Sequence, residues 1–335
     1  MNSLGRRATG GLLVLPFLWL TWSVGGGPTG SPPKVVARTA GPILKVSPPA
    51  PGSDHPTRPA RPGYLAPPDP IRPRTLPALP REGNWQPLVI LHGQTAVRAA
   101  FLRPDAQFTS ARVGVAWVNQ RLVTVVLHPG DTTPGGSGLS QPSQVPGSQR
   151  DRLLATFNSG FLMSAARGGY WQNGTSVIPL RRGAASMVFY RDGHLDVVRW
   201  SGASPQRDVA AVRQNLTLLV DHGRVTPEVD SASWGATLGG GMYVWRSAVG
   251  VRSDGALVFA VGPSLSARTL ANILRDAGAV RAMELDINPE WTNFMTYTHP
   301  RRGVAVPHML TSDAQPNPYR YLQPSSRDFV AVLAR

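Results

Sequence analysis

Proline limits this chain more than any other residue, because it is concentrated at one end: 17 of the 33 prolines fall before position 85. Between Pro28 and Pro80 one recurs every few residues among Ser, Ala, Arg and Gly. Such a stretch has too few N–H donors for a sheet ladder and too few apolar side chains for a core, so it reads as a semi-extended, disordered tether. The folded body then comes from the C-terminal portion of the chain, about 250 residues, enough to bury a core without staples. Length alone, at 335 residues, fits about two domains, but the compositional break favours one domain with a tail.

Ahead of the tether, Arg6 and Arg7 precede an apolar run from Leu12 to Leu20, closed by Gly25-Gly26-Gly27-Pro28. This pattern reads as an export segment, either cleaved or kept as an anchor through residues 11–24. The expected organisation is therefore an export segment at 1–27, a Pro-rich linker at 28–84 and one domain at 85–335, lying outside the cell, secreted or membrane-anchored.

Charge says less than its size suggests. The net charge is +15, yet 32 of the 34 basic residues are arginine, and the first 84 residues carry ten basic side chains against three acidic ones. That distribution gives a diffuse field, compatible with anionic polymers and not with a specific nucleic-acid site. Charged residues make up 16% and hydrophobic ones 41%, which excludes a coiled coil or an acidic disordered chain. The absence of cysteine removes disulfides, thiolate metal sites and cysteine nucleophiles together.

Regular patterning starts near Trp85. Three hairpins are signalled by turns with glycine: Ser186–Tyr190 with His194–Val198 across Arg191-Asp192-Gly193, Ser247–Val251 with Ala256–Val261 across Ser253-Asp254-Gly255, and Leu216–Val220 with Arg224-Val225 across Asp221-His222-Gly223. A fourth is expected between Arg112–Val118 and Leu122–Leu127 across Asn119-Gln120. One helix is marked by Ser266 as N-cap, by Leu270, Ile273, Leu274 and Ala277 at helical spacing, and by Gly278 beyond its end. The segment from Val280 to Ile287 alternates like a strand, so a β-α-β passage places Asp286 at a strand's carboxyl end, where ligands sit in such units. Phe329–Leu333 closes the chain as a last strand. Hairpins outnumber helices, which gives an α+β class: a mixed, hairpin-rich sheet with a few packed helices.

Several chemistries are excluded. No Gly-x-Ser-x-Gly elbow, no His-Glu-x-x-His and no phosphate-loop or dinucleotide glycine pattern occurs, and Gly239-Gly240-Gly241 reads as a turn or close backbone approach. No cofactor or metal is expected. What remains is the polar cluster Glu284, Asp286, Asn288 and Glu290, interleaved with Leu285, Ile287, Pro289 and Trp291. If extension continues to Asn288, the even positions share one face; the competing reading is an exposed polar edge. The break Asn158-Ser159-Gly160-Phe161 offers an amide side chain and a backbone N–H toward a ligand, or a structural Asx turn. Arg246, inside an apolar strand, is either paired with a carboxylate or awaiting a phosphate. Tyr170 and Trp171, after Gly168-Gly169, are either stacking surfaces for a sugar or core aromatics.

At these residues the chain resembles the phosphodiester glycosidase family. Asn158-Ser159-Gly160-Phe161 matches in part the family's Asn-Gly-Gly-aromatic element, and Gly169-Tyr170 matches a later glycine turn. Arg246-Ser247-Ala248-Val249-Gly250 with Asp254-Gly255 and Ala282-Met283-Glu284-Leu285-Asp286 come next in order. The resemblance runs from Ala155 to Trp291. It departs after Asp286, where Ile287-Asn288-Pro289-Glu290-Trp291 stands in place of a glycine and serine run.

The resemblance implies an exported hydrolase that cleaves a sugar 1-phosphodiester in a cell-surface or extracellular glycan. It assigns Arg246 to the phosphate, Asp286 as nucleophile or general base, Glu284 or Glu290 as its partner, and Asn158 to the sugar hydroxyls or the phosphate. Gly160, Gly169, Tyr170, Asn288 and Trp291 would line the substrate. On this reading Asp286→Asn leaves folding intact and abolishes turnover. The alternative is a non-catalytic surface module that binds phosphorylated or anionic glycans.

Overall fold

The computed structural model describes residues 64–135, 138, 139, 141–231, 234, 241–312 and 317–335. The expected export segment, the tether up to residue 63, and Gly239 and Gly240 lie outside them. No helix among the described residues is long and apolar enough to cross a membrane.

Most of the body is sheet. Eight strands lie side by side in the order β1 (Gln86–Leu91), β2 (Gln94–Leu102), β3 (Val113–Val118), β14 (Leu257–Leu265), β13 (Val244–Arg252), β15 (Ala279–Glu284), β11 (Leu218–Asp221) and β12 (Arg224–Val225). A five-stranded sheet has the order β7 (Thr175–Ile178), β6 (Tyr170–Gln172), β10 (Val209–Gln214), β8 (Ala185–Tyr190) and β9 (Leu195–Arg199). A second one has the order β17 (Val304–Met309), β16 (Phe294–Arg301), β5 (Leu153–Asn158), β18 (Phe329–Ala334) and β4 (Val123–His128). The α-helices among the described residues are the single turn α1 (Met163–Ala166) and α2 (Ala267–Asp276), so the α+β character rests on α2.

Strands such as β3, β5 and β8 are buried at every position, because apolar side chains on both faces of a strand need cover on both sides. Phe157 of β5, Phe294 of β16 and Phe259 of β14 meet with ring centroids 5.2 to 6.1 Å apart, joining the eight-stranded sheet to the sheet of β5. On the other side of the eight-stranded sheet, Leu270, Ile273 and Leu274 of α2 pack with Ala248, Val258, Ala260 and Ala282. Full burial of each such leucine or isoleucine stabilises by about 1.5–3 kcal/mol. The Ser266 hydroxyl accepts the Thr269 N–H at 3.0 Å, and Gly278 has φ +91°, a left-handed end that favours glycine. The helix carries the chain from β14 to β15, with β13 antiparallel between them.

The three hairpins with glycine turns form as expected, as β8/β9, β13/β14 and β11/β12. The fourth does not. The strands β3 and β4 exist, but β3 pairs with β2 and β14, whereas β4 pairs with β18 in another sheet. Gln120, expected in the turn, is buried and clamps two other segments: its amide donates to the carbonyls of Leu195 (2.9 Å) and Gly255 (2.8 Å) and accepts the Leu195 N–H (2.7 Å). Those three bonds fix a crossing between sheets where local sequence suggests a reversal.

The end of the expected linker also differs. Leu65 and Ile71 are buried in the core that α2 covers. Arg103 donates to the Glu82 carboxylate at 2.8 Å and to the carbonyls of Thr75 (3.0 Å) and Pro77 (2.7 Å). Proline removes ladder donors but leaves carbonyl acceptors, and a buried guanidinium uses them. Residues 64–84 therefore belong to the folded body and not to the tether.

Candidate active site

Register builds the site. Phe329 of β18 lies opposite Asn158 of β5, so the two residues before Phe329, Arg327 and Asp328, arrive beside the break after β5. Ser247 of β13 faces the same break from the eight-stranded sheet, and Asp286 comes just after the end of β15. The Asn158 amide donates to the Ser247 hydroxyl and to the Ser159 carbonyl, each at 2.9 Å, and its oxygen accepts the Asn293 N–H at 3.1 Å. The Ser247 hydroxyl in turn accepts the Asp286 N–H at 3.2 Å. Asn158 and Asp286, far apart in the chain, are thus joined through one serine.

The strand β15 stops at Glu284, so the expected extension to Asn288 does not occur. Asp286 turns the chain instead: its Oδ1 accepts the N–H groups of Ile287 (2.7 Å) and Asn288 (2.9 Å), and its Oδ2 meets Arg327 Nη2 at 2.5 Å. The same Nη2 donates to the Gly160 carbonyl at 3.0 Å. Burial pushes the Asp286 carboxyl up, against the pull of Arg327 and the two N–H groups. A second pair, Arg213 to Asp328 at 2.7 Å, is fully buried on both sides; Arg213 also donates to the carbonyls of Gln214 (2.6 Å) and Phe161.

Arg246 corrects the phosphate assignment. Adjacent strand residues point to opposite faces, so with Ser247 turned to Asn158, Arg246 lies on the other side. There its Nη1 meets Glu284 at 2.6 Å, Nε donates to the Leu265 carbonyl, and Nη2 donates to the carbonyls of Trp234 and Met242. Of the two readings open from the sequence, carboxylate pairing is the one realised. Four engaged N–H contacts and 1% exposure leave this guanidinium no fork for a phosphate. The other oxygen of Glu284, Oε2, is buried without a protein partner, as are Asp328 Oδ1, Ser159 Oγ, Thr292 Oγ1 and Asn293 Oδ1. Buried polar atoms without protein partners are rare, so each of these five is a candidate for a bound water.

The remaining expectations divide. Tyr170 is fully buried in the main core, so it is no platform for a sugar; the run Tyr170-Trp171-Gln172 is a strand, not a surface turn. Gly169 and Gly160 are glycines for close approach and not for ligand contact: a Cβ at Gly169 would lie 2.3 Å from the Pro179 carbonyl, and one at Gly160 would lie 2.9 Å from the Arg213 guanidinium. Glu290 is exposed on the turn, with its N–H capped by the Asn288 side chain (2.9 Å), so it is not the partner of Asp286. Asn288 and Trp291 form that turn, the Asn288 carbonyl accepting the Trp291 N–H at 2.9 Å. Among the described residues no three His, Asp or Glu side chains converge as metal ligands.

Sequence reading missed the roles of Ser247, Asn293, Arg213 and the Arg327-Asp328 pair. Arg213 carried the signal that exposed Arg246, a lone arginine in the apolar strand β10. Arg327-Asp328 gave none, since its place depends wholly on the β5/β18 register.

Residues 151–286 match the family model described as phosphodiester glycosidase. This segment is similar to the phosphodiester glycosidase family. The match ends at Asp286, where the chain's own Ile287–Trp291 turn begins, so Arg327 reaches the matched segment from beyond it. Among solved structures the chain is similar to the zebrafish N-acetylglucosamine-1-phosphodiester alpha-N-acetylglucosaminidase catalytic domain auto-inhibited by pro-peptide, with 15% identity over 75% of this chain and 88% of that one and a TM-score of 0.49. A Synechocystis hypothetical protein matches with 13% identity over 76% of this chain and 65% of that one, TM-score 0.38. No curated protein matches the chain.

Two buried groups set opposing pH slopes. Burial pushes the Glu284 carboxyl up to about 7, against the pull of Arg246. A carboxyl raised on folding binds more protons folded than unfolded, so its contribution is complete below the ordinary glutamate value of 4.5 and is lost as pH rises through about 7. His128, stacked on Phe329 with Nδ1 at 2.9 Å from the Pro142 carbonyl, is pushed down to about 4 by burial. Its contribution is complete above 6.5 and is lost as pH falls through about 4. Between these limits the two cancel in part. Glu284→Gln removes one slope, so urea midpoints of the variant should gain on the parent as pH rises from about 4.5 to about 7. A constant difference across that range would show that Glu284 does not titrate there.

Proposed function

We propose that the domain hydrolyses a sugar 1-phosphodiester of a cell-surface or extracellular glycan, acting outside the cell. The observation that carries this reading is the convergence, at the end of the family-matched segment, of Asp286, the Asn158 amide and an arginine. Phosphate is a weak base as a leaving group, so the reaction needs a cation for the phosphate and a carboxylate for the anomeric carbon more than a strong acid. Asp286 serves as nucleophile or general base. Glu284 is held by Arg246 on the opposite face and acts on Asp286 through its charge, not through contact. Asn158, whose two N–H groups go to Ser247 and Ser159, holds Ser247 beside Asp286 as a positioning residue, and Arg327 takes the cation's role in place of Arg246.

A second reading draws on one feature: both carboxylate oxygens of Asp286 already accept hydrogen bonds, Oδ1 from two N–H groups and Oδ2 from Arg327. That suits a module that binds phosphorylated or anionic glycans without cleaving them. Incubating the purified protein with the methyl phosphodiester of glucose 1-phosphate separates the two. Release of reducing sugar and methyl phosphate supports the hydrolase; saturable binding with no release supports the module and overturns it.

A further inference from the structure

We propose that Arg320, Trp291 and Arg327 form an anion subsite beside Asp286, which receives a phosphate or other multiply charged oxyanion of the substrate. Its substrate rests on the phosphodiester reading, but its anion chemistry does not. The Cζ atoms of Arg320 and Arg327 lie 4.5 and 4.9 Å from the centroid of the same half-buried Trp291 ring. Cation–π contact with one indole fixes both cations, and like charges gathered on one ring are eased when an anion joins them.

The guanidiniums differ in what neutralises them. Arg327 pairs with Asp286 through Nη2, while its Nε and Nη1 have no partner among the described residues. Arg320 meets no carboxylate among the described residues; its Nη1 donates to the Glu290 carbonyl at 2.5 Å, and its Nε is buried without a partner. A buried guanidinium N–H without an acceptor is costly, and a planar fork of donors matches the oxygens of a phosphate. The turn that places the ring, Asn288–Trp291, is rigid: the Asn288 carbonyl accepts the N–H groups of Trp291 and Thr292 at 2.9 and 3.0 Å. The structure thus gathers two guanidiniums with unused N–H groups on one indole, one of them paired with the carboxylate of the proposed reaction.

Titration calorimetry of the full chain with inorganic phosphate tests this at fixed ionic strength. The parent should bind phosphate saturably, and Arg320→Gln should weaken binding about tenfold or more. Equal binding by parent and variant, or no saturable binding by the parent, overturns the subsite. Should the glutamine variant fail to fold, Arg320→Lys keeps the charge without the fork. Weaker binding by a lysine variant that melts with the parent supports the subsite, and unchanged binding overturns it. Hydrolysis is read separately. A parent that binds phosphate through Arg320 yet releases no reducing sugar keeps the subsite and loses the hydrolase reading; a parent whose KM equals that of Arg320→Gln does the reverse.

Discussion

Asp286→Asn is expected to lower release of reducing sugar by at least about 10²- to 10⁴-fold, the contribution of a positioned acid or base, and to cost stability as well. The asparagine oxygen can still accept the Ile287 and Asn288 N–H groups, but its NH₂ would face Arg327 Nη2, donor against donor. Breaking a buried pair by removing one partner costs about 3–5 kcal/mol, and the 11% exposure of Arg327 places this case near the lower end. The sequence-level expectation that this variant leaves folding intact is therefore corrected. A double variant, Asp286→Asn with Arg327→Gln, separates the effects, since two amides can pair without a stranded charge. Recovered stability in the double variant shows that the stranded Arg327 charge caused the loss of stability; turnover of the single variant, corrected for its folded fraction, reads the role of Asp286. If the single variant, corrected for its folded fraction, turns over like the parent, another group does the chemistry.

The largest loss of stability is expected from Arg213→Met. Arg213 and Asp328 are wholly buried, so the variant leaves a carboxylate in the interior with no cation, a cost of about 3–5 kcal/mol. For a domain of this size that lowers Tm on the order of 10 °C. Adding Asp328→Leu should restore most of it, because a buried ion pair replaced by apolar groups is often neutral. A thermal melt of the single variant within about 2 °C of the parent, less than the shift of about 1 kcal/mol, would mean that Asp328 finds another partner or a proton. Activity should fall further than folding explains, since Arg213 supports the Gly160-Phe161 backbone that also receives Arg327.

What was legible in the sequence was local. Turns such as Arg191-Asp192-Gly193 declare themselves because glycine takes a left-handed conformation, φ +88° at Gly193, that other residues adopt at a cost. Helix α2 announced both its ends through Ser266 and Gly278. Asn158 and Asp286 were singled out by residue type and order; the Asn158 amide and the Asp286 N–H both bond the Ser247 hydroxyl. Asn119-Gln120 failed because a turn-like pair says nothing about which sheet receives the next strand, and Tyr170 failed because an aromatic serves a core or a ligand equally well.

The sequence by itself determined the three glycine-turn hairpins, the cap and stop of α2, and which polar residues had to find partners once enclosed by apolar neighbours. It did so because turn geometry, capping and side-chain alternation are decided within a few residues of chain. Only the tertiary structure decided the pairing of charges: Arg246 with Glu284, Arg327 with Asp286, Arg213 with Asp328. A guanidinium pairs with whichever carboxylate the packing brings within reach, and that is set by the strand register of β18 against β5, a relation between segments that are far apart in the chain.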